Sequence, residues 1–180
     1  MSPLSGAVPE QERSHMKDLL NKISSYNLFN YLLPGILFAV LAEHITAYKI
    51  MQSDIIIGLF LYYFCGLVIS RIGSLLLEPA MKKVSFVTFA SYRDFVHVST
   101  KDPTVETLSE VNNMYRTLSA LFFVLLVIKP FEIVMQWLNI NTDTAAYIFF
   151  VMLFVLFALS YRKQTKYINQ RVEAGKDEHC

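Results

Sequence analysis

Residues 55–77 read IIIGLFLYYFCGLVISRIGSLLL, an apolar run broken by a single charge, Arg71. Coiled as a helix with 1.5 Å rise per residue, it reaches about 34 Å, enough to cross the ~30 Å hydrocarbon core of a bilayer. A soluble domain has no use for an unbroken apolar helix of this length. Three further stretches repeat the pattern: Phe29–Tyr48 before it, Thr117–Leu138 and Ala145–Tyr161 after it. The fold class that follows is all-α, a polytopic membrane protein of four transmembrane helices, numbered here as spans one to four. Composition agrees. Hydrophobic residues make up 54% and charged residues only 17%, against ~45–50% and ~25% in soluble domains. A net charge of +1 argues against nucleic acid as a partner, because binding it needs a strong basic excess.

The ends of the spans orient the chain. Lys and Arg accumulate in cytoplasmic segments close to the membrane. The amino-terminal segment holds Arg13, Lys17 and Lys22; the segment between spans two and three holds Lys82, Lys83, Arg93, Lys101 and Arg116. The carboxy-terminal tail holds Arg162, Lys163, Lys166, Arg171 and Lys176. Of the 16 basic residues only Lys49, Arg71 and Lys129 lie elsewhere. Both termini and the central segment are therefore expected on the cytoplasmic side, with Lys49–Asp54 and Asn139–Thr144 as short outer loops.

The chain divides into two parts. Residues 1–15 are polar, with Pro3, Gly6 and Pro9 and no apolar period. They read as a disordered leader and lack the basic-then-apolar order of a signal peptide. Met16-Lys17-Asp18-Leu19-Leu20 reads as a natural start, so an upstream start assignment or an added leader accounts for the prefix. Residues 16–180 form one membrane domain, with 79–116 as a cytoplasmic helical hairpin and 162–180 as a basic cytoplasmic tail.

Within the spans, small residues mark where another helix can approach closely, since lipid offers no water-driven force to press helices together. Gly66, Ser70 and Ser74 follow at four-residue intervals on span two, with Gly73 one heptad from Gly66. Their partner is open: span one, span three or another copy of the chain. Pro34-Gly35 on span one predicts a kink, read either as a gating hinge or as a static bend, because proline removes a backbone donor and crowds the preceding turn. Arg71 either snorkels to the headgroups or finds a buried carboxylate.

Four ionisable residues, Glu43 and His44 on span one and Lys129 and Glu132 on span three, lie at a common depth of roughly 18–22 Å from the cytoplasmic face. Two readings stand. In one they form a buried polar cluster, with Lys129 and Glu132 paired across one turn. In the other, span three breaks at Pro130 and leaves them at the interface beside Trp137 and Tyr48.

The central segment exceeds a simple turn. Asp102-Pro103-Thr104 is a helix start, with a capping acid, proline in the first turn and Glu106 near the positive end. Val105, Leu108, Val111, Tyr115 and Leu118 continue its period into span three. Phe86, Phe89, Arg93 and Val96 predict a preceding amphipathic helix over Met81–Val98. The apolar faces of this hairpin pack on each other, on headgroups or on a partner protein.

Chemistry-bearing motifs are sparse. His15, His44, His97 and His179 have no metal-ligand partner at helical spacing, and no nucleophile elbow or phosphate loop is present. Ser91, Asp94 and His97 are the one cytoplasmic trio, read as a solvated helix face. No enzyme, cofactor or metal site is expected.

The segments Phe29-Asn30-Tyr31-Leu32-Leu33-Pro34-Gly35, Ser109-Glu110-Val111-Asn112-Asn113-Met114-Tyr115-Arg116 and Tyr161-Arg162-Lys163-Gln164-Thr165 resemble a group of small uncharacterised bacterial four-span inner-membrane proteins. Some of these are carried in anti-phage defence regions. The resemblance implies a bacterial inner-membrane setting and carries no residue roles. Two functions are expected from different classes: an oligomeric, non-enzymatic membrane module that docks a cytoplasmic partner, or a homo-oligomeric ion channel or pore-forming effector.

Overall fold

The computed structural model describes residues 28–177, and the leader 1–15 lies outside them. The described chain is helical throughout its regular structure. A π-helical turn, Leu28–Leu32, runs into α1 (Leu33–Ile45). Helix α2 (Ile55–Ile72) continues through a second π turn, Gly73–Leu77, into the short α3 (Glu78–Lys83). Then come α4 (Tyr92–Ser99), α5 (Pro103–Trp137) and α6 (Thr142–Asp177).

Three helical segments are long and apolar enough to cross a membrane: Ile55–Lys83, Pro103–Trp137 and Thr142–Gly175. The helical stretch Asn30–Ile45 is apolar but shorter, about 24 Å at 1.5 Å per residue. The expected span Phe29–Tyr48 is thus cut short at its far end. Thr46 leaves the helix in extended conformation, and both its amide and its hydroxyl donate to the Ala42 carbonyl, at 2.9 and 2.7 Å. That closes the last turn and turns the chain into the loop 46–54.

Helix starts follow from local chemistry. The carboxylates of Asp54 and Asp102 accept from the amides of Ile57 and Thr104, each at 2.9 Å. Ser91 accepts from Asp94 at 3.1 Å and Asn141 from Thr144 at 2.8 Å. Each satisfies an amide that the first turn leaves without a partner. The two π turns also have a local cause. Each lies just before a proline, Pro34 or Pro79, which has no N–H to return to the carbonyl four residues earlier.

Helices α1, α2 and α5 form the packed centre. Ala39, Ala42, Ala120 and Leu121 are fully buried there, with Ile69 almost so. The closest approach is between α1 and α2. A Cβ added to Gly35 would overlap the Tyr62 carbonyl, and one added to Gly66 would overlap the Tyr31 carbonyl. At Gly73 an added Cβ would come within 3.0 Å of the Ala120 Cβ. The small-residue face of α2 therefore serves neighbours within the same chain.

Helix α6 is different. None of the residues in its most apolar stretch is buried. A half-buried line at Leu153, Leu156, Phe157, Ser160, Lys163 and Tyr167 is its one inward side over that region.

Two expectations need correction. The helix Met81–Val98 is not continuous: α3 stops at Lys83, Ser85 takes a left-handed φ of 57°, and the chain resumes as α4 at Tyr92. The β-branched residues Val84, Val87 and Thr88 disfavour helix in this stretch. Conversely, span three does not break at Pro130, which sits inside an uninterrupted α5. The helix from Pro103 into span three is continuous, as its period implied.

Candidate functional site

Two polar zones lie at opposite ends of the packed centre: one holds the anticipated Lys129–Glu132 pair without Glu43 and His44, and the other centres on a residue that the sequence does not single out. At one end Glu132, 3% exposed, accepts from Lys129 Nζ at 2.7 Å and from the Ala47 amide at 3.3 Å. The Lys129 side chain is about half exposed, 49%. With Pro130 inside α5, the break that would have released this pair into the interface does not occur. Glu43 does not join it. Its carboxylate accepts from the amides of Ile50 and Met51, at 3.1 and 2.7 Å, and so ties down the loop after α1. His44 is exposed. The four anticipated residues thus divide into an ion pair, a loop cap and a surface histidine.

The same loop is fastened to α2. Tyr62 Oη accepts from the Gln52 amide at 3.0 Å and donates to Met51 Sδ at 3.7 Å. These bonds occupy backbone donors in a non-helical segment, which has no ladder of its own to satisfy them.

At the other end the organising residue is Glu78, 7% exposed. Its Oε1 meets Lys82 Nζ at 2.9 Å and Lys163 Nζ at 3.6 Å, and its Oε2 accepts from Arg116 at 2.9 Å. One carboxylate thus joins α3, α5 and α6. Lys163 also donates to the carbonyl and hydroxyl of Ser74, at 2.7 and 2.8 Å. The backbone explains why that carbonyl is available. In the π turn the Glu78 amide bonds to the Gly73 carbonyl. The next bond in that register would come from Pro79, which has no N–H, so Ser74 keeps a free acceptor for the lysine.

Beside this hub, a buried hydroxyl–amide cluster joins three helices. Thr117 Oγ1 lies 3.2 Å from Asn30 Oδ1, 3.3 Å from Ser70 Oγ and 2.9 Å from the Asn113 carbonyl. Arg71 bonds to a phenol and not to the anticipated carboxylate. It donates to Tyr31 Oη at 3.2 Å, and its buried Nε has no hydrogen-bond partner. The Tyr31 ring in turn meets Tyr63 edge-on, with centroids 5.5 Å apart.

The segment between α3 and α5 is held to this end by aromatic contacts. Tyr92 of α4 stacks on Tyr167 of α6 at 5.6 Å, and Lys82 lies 4.0 Å over the Phe89 ring. Ser91 and Asp94 are engaged in capping α4, and His97 faces Lys101 at 3.0 Å, one turn further on. All three residues are exposed, the solvated face that the sequence predicts. Within the basic tail, α6 continues to Asp177, and Lys163 turns inward.

Of the packing residues anticipated on α2, Gly66 faces Tyr31, Ser70 faces Thr117, Gly73 faces Ala120 and Ser74 faces Lys163. Pro34 and Gly35 are buried beneath the α1–α2 crossing. Sequence reading missed Glu78. The available signal was three cations, Lys82, Arg116 and Lys163, at the same end of three helices, with one acid at the end of the second. Comparison of the chain with family models, curated proteins and solved structures finds no match.

Proposed function

We propose that this chain is a four-span, non-enzymatic module of a bacterial inner membrane, with both termini and the 78–116 segment in the cytoplasm. In this reading the segment docks a soluble protein partner, and the membrane part holds it in place. The observation that carries the reading is apolar surface on the basic, Glu78 end. Phe86 is 75% exposed and Leu108 and Tyr115 are each 62% exposed, although Lys82, Lys83, Arg93 and Lys101 share the segment. Leu108 and Tyr115, two turns apart on one face of α5, offer an apolar surface to a partner, as exposed patches at interaction surfaces do. The short α1 serves as the fourth span by local thinning of the bilayer around it, at modest cost. By the resemblance in sequence, the partner belongs to a defence system in which this chain is the membrane arm.

A photoreactive side chain at Phe86 or Leu108 tests the reading in intact cells. A discrete protein adduct from these positions, absent from an equivalent probe at Leu126 on the apolar part of α5, is expected. Adducts with lipid alone at all three positions would remove the docking role.

A second reading, a conducting homo-oligomer, is favoured by one observation. The Lys129 side chain is half exposed although its ammonium is bonded to the buried Glu132, so an ion pair reaches the outer surface of the bundle, where several copies would line a path. Ion flux in reconstituted vesicles tests it; no flux above protein-free vesicles would end it.

A further inference from the structure

A narrow cleft opens between α2 and α6 beside the Glu78 hub, lined by Arg71, Ser74, Ser160, Lys163, Gln164 and Tyr167. No carboxylate lines it. The nearest named acid, Glu78, already answers Lys82, Arg116 and Lys163, while Arg71 is bonded to a neutral phenol; the buried Nε–H groups of Arg71 and Arg116 both lack a partner. Among the described residues this corner holds four cations against one carboxylate. A buried guanidinium N–H left unbonded is costly, and excess positive charge between helices at a membrane face is the setting in which anionic headgroups are held.

We infer that the Arg71–Lys163 cleft binds a phosphate group, in the form of an anionic phospholipid headgroup entering between α2 and α6. Phosphate is the matching anion because its oxygens accept from the Arg71 guanidinium within the field of the Lys163 ammonium, whose own protons go to Ser74 and Glu78, and the hydroxyl of Tyr167 and the amide of Gln164 add neutral donors. The cleft is too narrow to take a whole headgroup, so phosphate enters by its oxygens and the acyl chains stay outside. The sparsely packed apolar half of α6, with no buried residue, leaves room for those chains along its flank. The inference rests on the membrane reading and not on the soluble partner.

The test uses the full chain in a neutral detergent, titrated with phosphatidylglycerol, phosphatidylcholine or inorganic phosphate, with thermal midpoint and native mass as readouts. Phosphatidylglycerol is expected to raise the midpoint saturably with one tightly held lipid per chain, and phosphatidylcholine to leave it unchanged. Arg71→Gln should weaken binding roughly tenfold, the worth of one charge-assisted hydrogen bond. Should that variant fail to fold, Ser160→Leu decides. It fills the cleft from α6, keeps every charge and removes only a hydroxyl bonded to its own helix at Leu156, and it should abolish the shift. Lys83→Gln, an exposed charge outside the cleft, should have no effect. A shift produced by inorganic phosphate, with the same dependence on Arg71 and Ser160, would assign the site to a free phosphate. Binding that survives Ser160→Leu, equal loss in Lys83→Gln, or no response of the folded wild type to lipid or phosphate would overturn the site.

Discussion

Gly35 and Gly66 are each other's packing surface: a Cβ on either one would overlap the carbonyl of the residue four positions before the other, Tyr62 or Tyr31. The reciprocity sets the α1–α2 crossing at backbone contact. At this separation Cα–H groups approach carbonyl oxygens across the helices, a recurring contact between small-residue faces. It also makes the pair sensitive to a single methyl group.

Gly35→Ala and Gly66→Ala should each destabilise the protein by about 1–3 kcal/mol or more, since the obstacle is backbone and not a side chain that can swing away. Gly175→Ala is the control: nothing lies within 4 Å of an added Cβ there, and it should be neutral or slightly stabilising. Thermal midpoints in mild detergent check this. Full stability in both crossing variants would mean that the helices do not meet in this way.

Glu78→Gln should be among the most damaging changes outside the apolar centre. It leaves Arg116, Lys163 and Lys82 facing one another with no counter-charge, and stripping one partner from a buried ion pair costs about 3–5 kcal/mol. Lys82→Gln should cost only about 0–1 kcal/mol, because its side chain is nearly half exposed to water. Membrane abundance and unfolding midpoint, compared between the two variants, read the difference. Similar effects would deny Glu78 its role as a hub.

Lys129→Ala should impair accumulation more than the double change Lys129→Ala with Glu132→Ala. The single variant leaves a buried carboxylate supported only by the Ala47 amide, whereas the double variant leaves no lone charge, and an unpaired charge at depth costs at least ~2.5–3.5 kcal/mol. Abundance of the two singles and the double decides it. A double as poor as the sum of its parts would show that the two residues act independently.

Reporter fusions after Cys180 and within 100–102 should report cytoplasm, and a fusion at 139–141 the far side. Both follow from the clustering of basic residues at span ends. A far-side report from 100–102 would invert the orientation on which the proposed docking surface depends.

The sequence by itself determined the helical class, the apolar runs of α2, α5 and α6, the start of α5 at Asp102-Pro103 and the small-residue face of α2. These signals are local or periodic along one helix, and helix geometry converts them directly into length, capping and faces. Only the tertiary structure decided what each face meets. Gly66 pairs with α1 rather than with another copy, because the Pro34-Gly35 turn brings the Tyr31 carbonyl beneath it. Glu43 caps a loop and not a cation, because α1 ends one turn sooner than hydropathy alone implies. Pro130 does not break α5, where the helix forgoes one backbone bond and keeps those on either side. Glu78 gathers its three cations from helices up to 85 positions apart in the chain, a juxtaposition set by the rotation of each helix about its own axis. No window along the sequence carries that rotation; packing does.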